Sequence, residues 1–286
     1  MSSLAGKTLF ISGASRGIGL AIAERAARDG ANVVIAAKTA DPNPKLPGTI
    51  HSAAEAVEAA GGKALPIVCD IRDVGQIEAA VAAAVATFGG IDICVNNASA
   101  ISLSGTLDTE PKRYDLMHQI NARGTFFVSR ACIPHLRRAA NPHVLNLSPP
   151  LDLNPAFFAP HAAYTLAKFS MSLYAMAMAE EFRRDGIAFN TLWPRTLVAT
   201  AALQAIPGAS GVVDQARMPA IMADAAHVIL TRDSRSFSGQ HCIDDQVLAS
   251  VGVTDLSAYR VKPGDGPLME DLFIPASMPP PTGVKS

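Results

Sequence analysis

A tyrosine and a lysine stand four residues apart in a stretch with helical character. Tyr164 and Lys168 therefore project from the same face of the predicted helix. An ammonium group beside a phenol stabilises the phenolate and lowers the phenol pKa from about 10 toward neutral pH. Such a tyrosine exchanges a proton with a carbonyl or alcohol oxygen while a hydride moves to or from a nicotinamide. The pair alone is a weak signal, because the two residue types also reach this spacing by chance.

A glycine-rich turn follows the first apolar run of the chain, residues 7–12, and opens a predicted helix over 18–29. Glycines allow a tight turn and a close approach to a pyrophosphate, and the N–H groups at the helix start attract negative charge. Between a strand and a helix, the pattern predicts a dinucleotide-binding turn; the alternative is a glycine-rich turn without a ligand. The residues expected to contact the cofactor there are Gly13, Ala14, Ser15, Arg16, Gly17, Ile18 and Gly19.

The end of the second predicted strand, residues 32–37, indicates which dinucleotide binds. A carboxylate at this point would bind the adenosine ribose hydroxyls of NAD. Lys38 stands there instead, and Arg16 lies in the glycine-rich turn. Two cations without a carboxylate suit the 2′-phosphate of NADP, so the sequence predicts NADP as cofactor. The alternative is that both charges are merely solvated.

Strand-like and helix-like segments alternate along the chain. The predicted strands cover 7–12, 32–37, 63–69, 91–95, 144–147, 187–192 and 241–243. The longer helices cover 74–88, 111–136 and 161–184, and a short helix covers about 220–230. Strands that are apolar throughout and separated by helices imply a parallel sheet covered on both faces. Right-handed crossovers then give an α/β fold with a single Rossmann-type doubly wound parallel sheet and helices on both faces.

The carboxyl-terminal part differs in composition from the rest. No break divides residues 1–252, which are predicted to form one NADP-binding domain, whereas residues 253–286 hold six of the 20 prolines. This Pro-rich extension is expected to lie extended on the surface or on a neighbouring subunit, with its last residues disordered.

Composition and charge exclude several classes of function. Lys and Arg number 24 against 25 Asp and Glu, so no overall attraction to nucleic acid or an anionic membrane is expected. The uncharged stretch 196–213 contains Pro207 and Gly208 and is interpreted as a mobile lid rather than a membrane span. The four separated cysteines fit buried thiols in a reducing cytoplasm, and the histidines show no metal-ligand spacing. The carboxyl-terminal residues do not form a peroxisomal address either, so we expect a cytoplasmic protein without a metal.

Several motifs in the right order resemble the short-chain dehydrogenase/reductase family, over essentially residues 7–243. Besides the glycine turn and the Tyr164–Lys168 pair, the matching pieces are Asp70, the run 96–98 and Asn121. The stretches 36–40, 96–101 and 147–151 are more narrowly similar to the hydroxysteroid dehydrogenase-like protein 2 subgroup. Animal members of that subgroup carry an added sterol-carrier domain, which a chain of this length is expected to lack.

The resemblance implies a role for each matching residue. Tyr164 would be the general acid/base, and Lys168 would hold the nicotinamide ribose and lower the Tyr164 pKa. Asn121 would support a proton-relaying water; the alternative is an amide satisfied by neighbouring backbone. Asp70 would lie near the adenine. Further cofactor contacts are expected from Asn97, Ala98, Ser99, Pro194, Thr196 and Leu197.

The sequence departs from the family pattern where a catalytic serine is expected. Family members polarise the substrate oxygen with a serine that is commonly the second of a Ser-Ser pair, but here Pro149, which has no hydroxyl, follows Ser148. We nominate Ser148 as the catalytic serine; the alternative is a strand-end serine that caps local backbone. Arg195 replaces a usual glycine, and it is either solvated or in contact with an anionic substrate or the cofactor phosphates.

The leading hypothesis is an NADP(H)-dependent oxidoreductase that interconverts a carbonyl and a secondary alcohol on a hydrophobic substrate. Apolar residues in the loops 149–160 and 193–219 either form walls for that substrate or bury against one another. Steroid-like or fatty-acyl substrates, and a homodimer or homotetramer, follow only from the resemblance. The alternatives are an enoyl-thioester reductase and a catalytically weak NADP-binding sensor or scaffold.

Overall fold

Seven parallel strands form one sheet in the order β3-β2-β1-β4-β5-β6-β7. The computed structural model describes residues 3–43, 46–204 and 209–285, and the backbone alone for residues 209 and 210. The strands are β1 (Thr8–Ser12), β2 (Asn32–Ala37), β3 (Lys63–Val68), β4 (Ile93–Asn96), β5 (His143–Asn146), β6 (Ala188–Trp193) and β7 (His241–Ile243). The order reverses beside β1, which creates a crevice between the loops that follow β1 and β4. The predicted doubly wound α/β fold is confirmed.

Helices cover both faces of the sheet. They are α1 (Gly17–Ala27), α2 (Ile50–Ala59), α3 (Val74–Phe88), α4 (Pro111–Met117), α5 (Thr125–Leu136), α6 (Pro155–Phe158), α7 (Ala162–Glu181), α8 (Ala201–Gln204), α9 (Ala220–Leu230) and α10 (Asp244–Ala249). Side chains alternate along β1, so that Leu9 and Ile11 pack under α1, α2 and α9, while Phe10 packs under α3, α5 and α7. These two apolar layers hold the strand ends, and therefore the loops at one edge, in fixed positions.

The helix predicted over residues 111–136 is interrupted. A π-helical segment, His118–Gly124, separates α4 from α5. Asn121 lies in this segment with its side chain fully buried, and its amide is bonded to the backbone of the loop after β4. The interruption therefore places a polar side chain against that loop, a local feature that apolar periodicity does not reveal.

The carboxyl-terminal segment, residues 253–285, has little regular structure but packs closely on the sheet domain. Leu256 and Phe273 are buried, and the Leu256 N–H donates to the Lys285 carbonyl at 2.8 Å. A second contact joins the Leu197 N–H to the Met269 carbonyl at 2.9 Å. We expected this segment to lie extended on the surface with a disordered end. In the structure, hydrogen bonds hold the segment as far as Lys285, and part of it enters the crevice.

No helix in the described ranges combines the length and apolar character that crossing a membrane requires.

Candidate active site

A cleft of about 750 Å³ opens at the carboxyl ends of the central strands, where ligands bind in doubly wound sheets. The cleft gathers residues that lie far apart in the sequence. Its lining includes the predicted site residues Gly13, Ser15, Arg16, Gly17, Ile18, Lys38, Asp70, Asn97, Ala98, Ser99, Tyr164, Lys168, Pro194 and Leu197. Among the described residues, five predicted ones do not line it: Ala14, Gly19, Asn121, Ser148 and Thr196.

The glycine turn fits a dinucleotide pyrophosphate by its shape. A Cβ on Gly13 would lie 2.8 Å from the Ala98 Cα, and a Cβ on Gly19 would lie 2.5 Å from Asn97 Nδ2. Gly13 and Gly17 also have positive φ angles of 68° and 60°. No side chain caps the start of α1, so its first N–H groups remain available to a phosphate at the cleft. Glycine is therefore required both for the turn and for its packing against the loop after β4.

Two of the charged residues that line the cleft, Arg16 and Asp70, already make hydrogen bonds within the protein. Arg16 donates from Nε to the Pro47 carbonyl at 3.0 Å and from Nη2 to the Gly48 carbonyl at 2.7 Å. Asp70 accepts from Arg72 Nε at 3.0 Å, which, with a smaller contribution from Lys38, lowers the pKa of Asp70. Lys38 itself is exposed and lines the cleft directly after β2. It is the cation best placed to meet an anionic group on a bound nucleotide.

Tyr164 and Lys168 both project from α7 into the inner part of the cleft. The Lys168 ammonium donates to the Leu147 carbonyl at 2.7 Å and lies 5.3 Å from the centre of the Trp193 ring. Burial lowers the pKa of Lys168 to about 7, although the charge of Asp271 raises it. Burial also raises the pKa of Tyr164, and Asp271 raises it further. The expected lowering of the Tyr164 pKa is thus absent here, because burial and the charge of Asp271 both raise that pKa.

Asn121 supports the wall of the cleft through backbone contacts. Its Oδ1 accepts from the Ala100 N–H and its Nδ2 donates to the Ala100 carbonyl, both at 2.9 Å. This is the arrangement that we gave as the alternative to a direct catalytic role. The contact fixes the loop that carries Ala98 and Ser99 beside the cleft.

Ser148 faces away from the cleft. Its hydroxyl is fully buried and lies 2.9 Å from the Ser172 hydroxyl of α7. The Ser172 hydroxyl also donates to the Pro149 carbonyl at 2.6 Å, so the Ser-Pro turn is tied to the helix. In this conformation the Ser148 side chain stabilises the strand end, in line with the alternative interpretation of this residue.

Sequence reasoning missed the contribution of the carboxyl-terminal segment to the site. Glu270, Asp271 and Leu272 line the cleft, and the Leu272 carbonyl accepts from Trp193 Nε1 at 2.7 Å. The Phe273 ring is buried, with its centre 6.0 Å from that of Tyr164. The one sequence signal was a short acidic and aromatic run inside a Pro-rich tail, which predicts no contact with the site.

Arg195 neither is solvated nor approaches the cleft, so both interpretations of this residue are wrong. It is buried in an ion pair, with Nη2 3.0 Å from Asp245 Oδ1. Its guanidinium also donates to the carbonyls of Met278 at 2.8 Å and Pro279 at 3.2 Å. Arg195 therefore attaches the carboxyl-terminal segment to the start of α10. The next residue, Thr196, forms an isolated antiparallel β-bridge with Glu270 of that segment.

The apolar residues predicted to surround a substrate divide into two groups. Phe157 and Phe158 pack into an aromatic cluster with Phe273, whereas Leu153 is exposed. Leu197 and Leu203 line the cleft. Gly208, a predicted hinge of the lid, lies outside the described residues. Mutual burial is therefore observed for the first group, whereas a role of the second group as a substrate wall stays a prediction.

Comparison with known proteins places the chain among short-chain dehydrogenases. A family model described as short chain dehydrogenase matches residues 7–209. Hydroxysteroid dehydrogenase-like protein 2 of Xenopus tropicalis is 58% identical over 274 residues, which are 96% of this chain and 65% of that protein. The chain spans only part of such curated relatives, from 51% of the Rattus norvegicus protein of the same name to 65% of the Xenopus tropicalis protein.

Solved structures agree with this assignment. A protein from Xanthomonas campestris is 62% identical with a TM-score of 0.92, over 96% of this chain and 99% of that one. A short chain dehydrogenase from Mycobacterium thermoresistibile is 54% identical with a TM-score of 0.91, over 97% and 98% of the two chains.

Two more distant structures hold different dinucleotides. A short chain dehydrogenase from Mycobacterium paratuberculosis is bound to NAD, at 25% identity and a TM-score of 0.72 over 85% of this chain and 98% of that one. A metagenomic short-chain oxidoreductase is in complex with NADP, at 28% identity and a TM-score of 0.69 over the same shares. The matching residues and the fold show that this chain belongs to the short-chain dehydrogenase/reductase family and resembles its hydroxysteroid dehydrogenase-like protein 2 subgroup.

Proposed function

We propose that this oxidoreductase uses NADP(H) to interconvert a carbonyl and a secondary alcohol on a hydrophobic substrate, with Tyr164 as the general acid/base. The observation that carries the proposal is that a single cleft holds both the glycine turn and the Tyr164–Lys168 pair. The turn fits a pyrophosphate, and the pair lies at the opposite end, where a nicotinamide of an extended dinucleotide would come to rest.

Different residues of the chain would bind the cofactor and transfer the proton. The bound dinucleotide supplies or accepts the hydride. Gly13 and the start of α1 would bind its phosphates, and the Lys168 ammonium would hold its ribose. The Tyr164 hydroxyl gives its proton to the carbonyl oxygen in reduction and takes it back in oxidation. Its raised pKa keeps the phenol protonated at neutral pH, which suits the reductive direction.

The preference for NADP over NAD is proposed on the charges after β2. Lys38 lines the cleft at the point where a carboxylate would bind the ribose of NAD, and Arg16 lies across from it. We expect Lys38→Asp to weaken NADPH binding by about 10- to 100-fold and to improve NADH binding, because a charge-assisted bond to the 2′-phosphate becomes a repulsion. Lys63→Asp, at the exposed start of β3 and outside the cleft, is the matched control. Equal NADPH affinity in the Lys38 variant and the control, measured by fluorescence titration, would refute the NADP assignment.

The catalytic role of Tyr164 is tested by measuring turnover of a panel of aliphatic, aromatic and steroid carbonyls and of an enoyl thioester. Tyr164→Phe is expected to lower kcat for carbonyl reduction by at least about 100-fold while NADPH binding is retained. Tyr114→Phe, half-exposed on α4 and outside the cleft, is expected to behave as wild type. Turnover of the enoyl thioester alone would favour the reductase alternative.

A catalytically weak NADP-binding sensor remains the second candidate because of two observations. The Phe273 ring packs against Tyr164, and Ser148 is turned toward Ser172. Tight NADPH binding with no turnover of any compound in the panel would favour this candidate over the enzyme.

Assembly and location are proposed on separate grounds. Leu166, Leu173 and Met176 expose about half of their side chains on α7, which favours a homodimer or homotetramer built on that helix. The four cysteines are free and buried, which suits a reducing compartment such as the cytoplasm.

A further inference from the structure

Among the described residues, the cleft lining holds no serine from the end of β5, where the family pattern places the serine that polarises the substrate oxygen. Pro149 stands where that serine is expected, and the Ser148 hydroxyl is buried against Ser172. Neither residue is in the cleft lining of the described structure. A carbonyl oxygen beside Tyr164 would therefore need another donor as negative charge develops on it.

The carboxyl-terminal segment brings a carboxyl group to this place. Residues 269–271 run antiparallel to residues 195–197, with the Leu197 N–H donating to the Met269 carbonyl and the Asp271 N–H to the Arg195 carbonyl, both at 2.9 Å. Asp271 consequently lines the cleft together with Tyr164 and Lys168 of α7. In its ionised form Asp271 raises the pKa of both residues.

One oxygen of the Asp271 carboxyl is engaged and the other is free to meet a ligand. Oδ1 accepts from the Leu272 N–H at 2.6 Å. In the described part of the chain, Oδ2 has no hydrogen bond or ion pair. A carboxyl group held by one oxygen, on a residue that lines the cleft, can donate a hydrogen bond from its second oxygen when it is protonated.

The surroundings of Asp271 favour its protonated form near neutral pH. Burial raises the pKa of Asp271 to about 7, and the charge of Asp244 on α10 adds to this effect. The Leu272 N–H and Lys168 lower the pKa. Tyr164 is uncharged in this range, and Glu270, the adjacent residue, also lines the cleft.

We propose that Asp271, in its neutral form, donates a hydrogen bond to the substrate oxygen and so takes the place of the missing serine. This inference rests on the proposed function. In reduction, the hydride adds to the carbonyl carbon, the C–O π electrons move to the oxygen, and that oxygen takes the proton of the Tyr164 hydroxyl. Asp271 keeps its own proton and stabilises the charge that develops on the oxygen; oxidation runs through the same contacts in reverse.

The segment is held firmly enough for such a role. Trp193 Nε1 donates to the carbonyl of Leu272, the next residue, at 2.7 Å. Phe273 has a φ of 67°, an unusual angle for a side chain of this size, and its ring is buried among those of Phe157, Tyr164 and Trp193. A strained backbone angle that tight packing maintains beside a cleft is typical of a functional group that must keep a fixed position.

Two substitutions at Asp271 distinguish a role of its side chain as a hydrogen-bond donor from a role that only fills space in the cleft. With NADPH and 9,10-phenanthrenequinone as probe, D271A is expected to lower kcat by about 100-fold, whereas D271N, whose amide also donates, stays within about tenfold of wild type. D265N, an exposed carboxylate of the same segment that does not line the cleft, is the control and should match wild type. NADPH affinity is expected to be unchanged in all three variants. Wild-type kcat in D271A, or equal losses in D271N and D271A, would overturn the proposal.

The pH profile supplies a readout that a merely structural residue would not move. In wild type, kcat/KM for reduction should fall as pH rises through about 7, because the carboxyl loses its proton. Lys168, with a pKa also about 7, contributes to the same fall. D271N should keep only the Lys168 part of it, shifted to lower pH because the Asp271 charge no longer raises the pKa of Lys168. An identical profile in D271N and wild type would overturn the proposal.

Infrared difference spectroscopy of wild type against D271N tests the protonation without turnover. At pH 6 we expect the carbonyl stretch of a protonated carboxyl group, absent from D271N; its absence from wild type would overturn the proposal. A wild-type enzyme that reduces no carbonyl of the panel would instead refute the proposed function, and with it the catalytic role of Asp271. The two failures are therefore distinguishable.

Discussion

Lys168 occupies a position that costs the folded protein stability. Its ammonium is buried beside the Trp193 ring and has the Leu147 carbonyl as its close oxygen partner. Burial lowers its pKa from 10.5 to about 7, which means that the fold disfavours the charged form. Active sites commonly retain such costly groups because function requires them.

We expect Lys168→Met to stabilise the protein while it abolishes turnover. Wild-type Lys168 is charged in the unfolded chain up to pH 10.5, but the folded state accepts the charge only at a cost. That cost is complete below pH 7 and vanishes as pH rises toward 10.5. The gain in the free energy of unfolding should be about 1 to 2 kcal/mol at pH 6 and smaller at pH 9. Urea unfolding at both pH values measures it, and a loss of stability at pH 6 would contradict the burial argument.

Ser148 provides a second test at a single residue. Because its hydroxyl is buried against Ser172 and outside the cleft, Ser148→Ala should leave kcat within about threefold of wild type and lower stability by about 1 kcal/mol. Ser172→Ala should lower stability by at least as much, since it also removes the bond to the Pro149 carbonyl. A loss of kcat of about 100-fold in Ser148→Ala alone would show that this hydroxyl reaches the substrate after all.

At the scale of elements, short apolar runs and glycine stops were enough to predict the strands of the sheet. Local sequence decides these features, because a strand buried on both faces must be apolar throughout. The π-helical interruption around Asn121 was not predicted, since the contact with Ala100 that accompanies it comes from another part of the chain.

The candidate site was predictable only in part, for the same reason. Local motifs predicted the glycine turn and the Tyr164–Lys168 pair, which the structure brings to one cleft. Asp271 and the role of Arg195 depend on how a tail with little regular structure folds back over the strand ends. No local pattern encodes that contact, so a sequence without the structure assigns the polarising role to the nearest hydroxyl, Ser148.

The attachment of the carboxyl-terminal segment depends on the buried pair of Arg195 and Asp245. Arg195→Met leaves a buried carboxylate without its partner and releases the Met278 and Pro279 carbonyls. We expect the free energy of unfolding to fall by about 3 to 5 kcal/mol. Thermal and urea unfolding measure this, and kcat should fall as well, because Asp271 is held by the same segment.

Arg183→Met is the matched control for that variant. Arg183 pairs with Glu180 on an exposed face, where solvent screening leaves an ion pair with little effect on stability. The double variant Arg195→Met with Asp245→Leu should recover part of the lost stability, since it removes the unpaired charge. Equal stabilities of Arg195→Met and Arg183→Met would contradict the importance of the buried pair.

At the scale of the whole molecule, the sheet is covered on both faces, yet one helix presents an apolar surface to the outside. Helix α7 buries Ala167, Met171 and Ala175 against the domain. Its outer side exposes Leu166 by 51%, Leu173 by 48% and Met176 by 50%. These three half-exposed apolar side chains have the spacing of one helix side and define an apolar strip, which favours a partner rather than water.

This strip gives the last prediction, on assembly of the proposed homo-oligomer. Leu166→Glu with Leu173→Glu places two charges on the outer side of α7, and burying them in an interface between copies would be costly. Wild type is expected to have a mass of two or four chains of 29.8 kDa by light scattering, and the double variant to dissociate at micromolar concentration. Leu107→Glu, at an isolated position that is 99% exposed, should leave the mass unchanged. A monomeric wild type, or a double variant that keeps the wild-type mass, would exclude α7 as the contact between subunits.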